Sequence, residues 1–96
     1  MIEVGIIGST GYVGQQLVGL LSRHPKCNIS FVSSNSYAGN RFSDVYGQYT
    51  NIADMKCIDT GEVHNYLSGV DVVFIALPHG MAFETAKICN EKNIKV

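Results

Sequence analysis

Hydrophobic positions change period along the chain, and each change marks a new element. Residues 2–7 (Ile-Glu-Val-Gly-Ile-Ile) form a short apolar run ending at Gly8, the pattern of a buried parallel strand. From 12 to 24, Val13, Leu17, Leu20 and Leu21 recur at helical spacing with Gln15, Gln16 and Arg23 on the other side, and Pro25 stops the run. Residues 28–33 carry Ile29, Phe31 and Val32 and predict a second strand. Residues 34–50 are rich in Ser, Asn, Gly and Tyr and keep no period. A connection that long is functional or holds a short helix, for which 42–46 is the candidate. A weak strand is expected at 55–58 and two helical turns at 60–68. Residues 70–77 (Val-Asp-Val-Val-Phe-Ile-Ala-Leu) are β-branched and apolar on both faces, as a central parallel strand is, and stop at Pro78. Helical spacing returns over 81–92 through Ala82, Ala86 and Cys89, with Glu84/Lys87 and Lys87/Glu91 supporting an exposed face. Residues 94–96 open another apolar run.

Strands alternating with helices predict an α/β fold, a Rossmann-type doubly wound parallel sheet with right-handed crossovers. Ninety-six residues are enough for one core and not two. A complete fold of this type has six strands, so the expectation is an incomplete sheet: residues 1–96 as the N-terminal portion of a dinucleotide-binding domain, truncated from a longer protein.

The chemistry concentrates between the first strand and the first helix, in Gly8-Ser9-Thr10-Gly11-Tyr12-Val13-Gly14. A nucleotide's pyrophosphate meets free backbone N–H groups and the positive end of a helix dipole at such a place. Glycine there avoids a Cβ that would hold phosphate away, and Gly14, one turn into the helix, lets helix and sheet pack closely. The pattern is G-x-x-G-x-x-G: aligned on its last two glycines, Ser9 stands where G-x-G-x-x-G has its first. A turn that merely lets a strand enter a helix would share the glycines. Where an NAD fingerprint places an acid, after the second strand, this chain has Ser33-Ser34-Asn35-Ser36. With no carboxylate to repel a 2′-phosphate, the hydroxyls of Ser33, Ser34 and Ser36 with the charge of Arg41 favour NADP over NAD, unless the serines are an ordinary polar turn. Leu77, Pro78 and His79, followed by Gly80, lie at the carboxyl end of the central strand, where open α/β sheets bind ligands. They either face the nicotinamide half of the cofactor or simply end a strand and begin a helix.

Composition narrows the partners. Charged residues make up 16% and the formal net charge is −1, so no broad basic surface draws in nucleic acid or an anionic membrane, and a small molecule is the expected partner. Cys27, Cys57 and Cys89 are odd in number and widely spaced, which fits neither a disulfide framework nor a structural zinc site and suits a reducing cytoplasm. Cys57 and Cys89 sit in apolar patterns as core residues. His24 is expected to complement a helix end and His64 to lie on the surface. No metal site is expected.

Five segments together, 8–17 (Gly-Ser-Thr-Gly-Tyr-Val-Gly-Gln-Gln-Leu), Arg23-His24-Pro25, 33–39 (Ser-Ser-Asn-Ser-Tyr-Ala-Gly), Ser43-Asp44-Val45-Tyr46 and 71–80 (Asp-Val-Val-Phe-Ile-Ala-Leu-Pro-His-Gly), resemble the N-acetyl-gamma-glutamyl-phosphate reductases of arginine biosynthesis. The glycine turn alone also fits the related aspartate-semialdehyde dehydrogenases. The resemblance implies NADPH-dependent reduction of an acyl phosphate to a semialdehyde in a homo-oligomeric enzyme, through a cysteine thioester. The family's catalytic cysteine and histidine are expected beyond residue 96, so none of the residues here is expected to be catalytic. Relatives often carry Arg where this chain has Asn35 and Lys where it has Asn40, which leaves Arg41 as the expected cation. The reading from another class is a non-catalytic dinucleotide sensor built on the same turn.

Overall fold

The computed structural model describes residues 2–9, 11–34, 37–47, 55–77 and 82–96. Strand β1 is Ile2–Ile7, helix α1 Tyr12–Ser22, strand β2 Cys27–Ser33 and the short helix α2 Phe42–Val45. Strand β3 (Cys57–Ile58) leads into a 3-10 helix at Thr60–Tyr66, followed by β4 (Val72–Ile75) and α3 (Ala82–Glu91). All four strands are parallel, in the order β3-β2-β1-β4. The chain winds outward from β1 to β3 and then crosses to the far side of β1, which is the doubly wound topology.

Two apolar layers hold the sheet. On one face Val4, Ile6, Val32 and Cys57 pack against Val18 of α1 and Phe42 of α2. On the other, Ile7, Phe31 and Val73 pack against Val63 of the 3-10 helix, Leu67 at its C-cap, Cys89 of α3 and Ile94. Alternation along β1 sends Ile6 to one layer and Ile7 to the other, and each such side chain buried contributes about 1.5–3 kcal/mol. Gly5 lies flat beneath Phe31: a Cβ there would meet Cε1 and Cζ of the ring, with Cδ1 at 3.1 Å. The β1–β2 register skips Ser30, whose hydroxyl reaches Glu3 Oε1 at 2.8 Å instead.

The expected boundaries hold within about a turn. Strand β4 is shorter than the 70–77 run because Val70 closes a turn on Leu67 after the left-handed Gly69 (φ 80°). The helical turns expected at 60–68 take 3-10 form, capped by Asp59, whose Oδ1 accepts from Gly61 N at 2.9 Å. Beyond α3 the 94–96 run lies beside β4: Lys95 bridges Val72 in parallel, and Val73 N donates to Lys95 O at 2.7 Å. Sheet pairing thus continues past β4, as a further strand requires. Among the described residues, no helix is long and apolar enough to cross a membrane.

Candidate functional site

The topology reverses between β1 and β4, and the glycine turn sits at that crevice. Ala76 N donates to Ile7 O at 2.8 Å, which brings the exit of β4 against the exit of β1. Gly8 has φ +84°, and a Cβ on it would lie 2.7 Å from Ala76 O and 3.1 Å from Leu77 Cδ2. Glycine is therefore required at position 8 by the fold itself. Position 14 is equally constrained: a Cβ there would strike Gly8 O and stand 2.7 Å from Ser9 Cα, so its absence seats α1 directly on the turn. Gly11 differs. It is the N-cap of α1 with φ −76° and ψ 171°, open to any residue, and among the described residues a Cβ would find only Gly8 O at 3.7 Å. Among the described residues nothing demands glycine at 11, and its missing side chain leaves open space beside them over the start of a helix.

That helix start is prepared for an anion. Gly11 offers no capping side chain and the first turn of α1 contains no acid, while the first N–H groups of a helix lack carbonyl partners within it. Gly8 and Ser9 do not join them, because their N–H groups are already committed to Ser33 O at 3.2 and 2.8 Å. By the geometry of a helix start, the donors that open α1 are those of Tyr12, Val13 and Gly14.

Ser33 and Ser34 take a different role from the outward donors expected of them. Both are buried, at 0% and 1% exposure. Ser33 Oγ accepts from Gly8 N at 3.2 Å and meets Thr60 Oγ1 at 3.1 Å, and its carbonyl also accepts the Ser9 hydroxyl at 3.0 Å. Ser34 Oγ accepts from Tyr37 N at 3.0 Å, folding back the chain after β2. Arg41 is exposed, its backbone bridging Lys56 at the β3 edge of the sheet. The structure thus gathers Gly8, Ser9, Gly11, Gly14, Ser33 and Leu77 into one crevice, with Val13 exposed on the first turn of α1. Thr10, Ser36, Pro78 and His79 lie outside the described residues.

The thiols behave as core groups. Burial pushes the Cys57 thiol up, partly countered by a hydrogen bond with the Ser9 side chain, and burial likewise raises Cys89. His24 lies past the end of α1, where its Nδ1 accepts from Lys26 N at 3.1 Å and shapes the turn into β2. No cluster of side chains that could hold a metal occurs among the described residues. Thr60 is the site residue that pattern reading passed over. Its one signal was a hydroxyl at the first position of a helix beginning just after a strand.

Comparison with known proteins agrees with this geometry. The family model described as "Semialdehyde dehydrogenase, NAD binding domain" matches residues 3–96. N-acetyl-gamma-glutamyl-phosphate reductase of Clostridium novyi is 53% identical over 96 residues, all of this chain and 28% of that protein, so the chain spans little more than a quarter of such relatives. Among solved structures, aspartate semialdehyde dehydrogenase with NADP from Candida albicans superposes with TM-score 0.80 at 28% identity, covering 98% of this chain and 28% of that one. A Rex-family repressor, RSP, gives TM-score 0.76 at 19% identity over 98% of this chain and 42% of its own, a likeness of fold alone. With its doubly wound sheet, its glycine turn at the β1–β4 crevice and a family match over nearly its whole length, this chain belongs to the semialdehyde dehydrogenase NAD-binding domain family, whose cofactor is a nicotinamide dinucleotide.

Proposed function

We propose that this chain is the N-terminal, cofactor-binding portion of an N-acetyl-gamma-glutamyl-phosphate reductase and that its cofactor is NADP. The observation that carries the reading is the space over Gly11 at an uncapped helix start, the one glycine of the turn on which the described residues place no steric demand. A dinucleotide fits that cradle: its diphosphate would lie over Gly11 and accept from the N–H groups of Tyr12, Val13 and Gly14. Bound NADPH supplies the hydride that reduces the acyl group. Thr10, Pro78 and His79 belong to the same site by their places in the sequence. Leu77 beside Gly8 forms an apolar wall at the crevice. Identity of 53% to a named reductase supports this substrate over that of aspartate-semialdehyde dehydrogenase.

NADP is favoured because 33–36 contain no acid and Arg41 is an exposed cation nearby in sequence. With Ser33 and Ser34 buried, Arg41 and Ser36 are left as the candidate side-chain ligands of the 2′-phosphate. The catalytic cysteine and histidine belong to the remainder of the enzyme, which the three thiols here do not replace. A homo-oligomeric, cytoplasmic enzyme acting on a small acyl phosphate completes the reading. The test is titration of the full-length protein with NADPH and NADH, followed by assay with N-acetyl-gamma-glutamyl phosphate. NADPH is expected to bind more tightly. Arg41→Ala is expected to weaken it by about ten- to a hundredfold, one charge-assisted hydrogen bond of roughly 1.5–3 kcal/mol, with little change for NADH. A wild-type preference for NADH overturns the NADP assignment, and failure to bind either dinucleotide overturns the whole reading.

A further inference from the structure

We infer that Thr60 is a positioning residue for the dinucleotide turn, acting through the Ser33 hydroxyl; this rests on the reading of residues 8–14 as the cofactor's seat. The Ser33 carbonyl receives three donors, Ser9 N at 2.8 Å, the Ser9 hydroxyl at 3.0 Å and Gly8 N at 3.2 Å. A carbonyl has two lone pairs, so the most distant of the three, Gly8 N–H, is only partly satisfied there. Its second acceptor is Ser33 Oγ, also at 3.2 Å. Ser33 is fully buried and its contact with Gly8 is part-buried.

A serine hydroxyl is a rotor, and its usefulness to Gly8 depends on keeping a lone pair aimed at that N–H. Thr60 Oγ1, 3.1 Å from Ser33 Oγ, supplies the constraint. Whichever hydroxyl donates, the contact fixes the Ser33 rotor. Thr60 is itself held firmly, because Asp59 caps the 3-10 helix at whose first position it stands. A chain of contacts therefore runs from the 3-10 helix through Ser33 to the turn beneath the cradle. Without the Thr60 hydroxyl that contact is lost, and the Ser33 rotor is free to turn away from the Gly8 N–H. Gly8 is left-handed and, as glycine, conformationally free, so the turn that aims the N–H groups of α1 relaxes. Ligand binding must then re-order it, and the loss appears as affinity. The fold is spared, since Gly14, the Ser33 carbonyl and the Ser9–Cys57 hydrogen bond still hold α1 and the turn in place.

The experiment is NADPH titration of the full-length protein carrying Thr60→Val, Thr60→Ser, Ser33→Ala and the Thr60→Val/Ser33→Ala pair, with a thermal melt of each. Thr60→Val is expected to bind NADPH roughly three- to tenfold more weakly, the loss of one neutral hydrogen bond, and Thr60→Ser to restore wild-type affinity. Adding Thr60→Val to Ser33→Ala is expected to weaken binding no further, since Thr60 acts only through that hydroxyl. Should the valine variant not fold, Thr60→Cys keeps the volume and offers a weaker donor, and is expected to bind more weakly than wild type. Wild-type affinity in Thr60→Val, or in Thr60→Cys where that variant stands in, overturns the inference, as do losses in the two single variants that simply add; the cofactor reading survives both. A wild-type protein that binds no dinucleotide overturns the cofactor reading, and this inference with it.

Discussion

The glycines at 11 and 14, three residues apart, separate binding from folding. Replacing Gly14 by Ala adds a methyl that strikes Gly8 O and lies 2.7 Å from Ser9 Cα and 2.9 Å from Gly8 C. All three are backbone atoms of a turn fixed by Ser33, so α1 must move off the turn. Helix propensity favours alanine by up to about 1 kcal/mol, while overpacking of this kind costs typically 1–3 kcal/mol. Contacts this short against backbone put the overpacking cost at its upper end, about 2–3 kcal/mol, so the clash wins, and the net loss of about 1–2 kcal/mol lowers the melting temperature of a domain this size by roughly 4–16 °C. Gly11→Val meets no such wall among the described residues, since its Cβ has one contact there, at 3.7 Å, and the backbone is extended. Its cost to folding is that of a poorer N-cap, about 1 kcal/mol or less. Its effect falls on the ligand: the side chain occupies the cradle, and NADPH binding is expected to be abolished. Circular-dichroism melts and NADPH titrations of both variants decide the matter. A Gly14→Ala protein as stable as wild type refutes the packing argument, and a folded Gly11→Val protein with undiminished NADPH affinity refutes the cradle.

Gly5→Ala is expected to destabilise the fold by forcing the Phe31 ring off β1, and Phe31→Leu in the same chain to recover part of the loss in a denaturant titration. The Asn28 amide and then the Ser30 hydroxyl hold the Glu3 carboxyl below the usual glutamate range. Because the folded value is depressed, this stabilisation is complete above the unfolded value and drains away as pH falls through the folded one. Asn28→Ala is expected to raise the Glu3 value, as read by carboxyl-carbon NMR. At neutral pH a thiol reagent is expected to modify half-buried Cys27 first and to reach Cys57 and Cys89 only on unfolding, which mass mapping over time checks.

Local periodicity carried most of the architecture. Strand β1 occupies the whole 2–7 run because both its faces are covered and Gly8 ends it abruptly. The fifth-strand pairing at Lys95 was equally visible as an apolar run after α3. The glycine turn was legible because its glycines lie within seven residues of one another. What was not legible depends on distance along the chain. The hydroxyls of Ser33 and Ser34 looked like free donors because nothing local reveals that Gly8, 25 residues earlier, and Thr60, 27 residues later, meet Ser33 inside the sheet. The packing role of Gly14 was legible from its place one turn into the helix, but the demand at Gly8 was hidden for the same reason: the atoms that forbid a Cβ there belong to Ala76, just past a strand placed beside β1 only by the crossover.

The burial of Ser33 also constrains how cofactor preference can be re-engineered in this scaffold. The customary route from the phosphorylated to the unphosphorylated dinucleotide installs an acid at the end of the second strand. Here the last residue of that strand is a fully enclosed hinge pin whose hydroxyl and carbonyl shape the Gly8 turn. An aspartate at 33 would bring a desolvated charge against Thr60 and compete for the Gly8 N–H, so it would deform the turn proposed to seat the diphosphate before it met any ribose. A designer, or natural drift, must leave that position alone and work further along the loop, at the exposed Arg41.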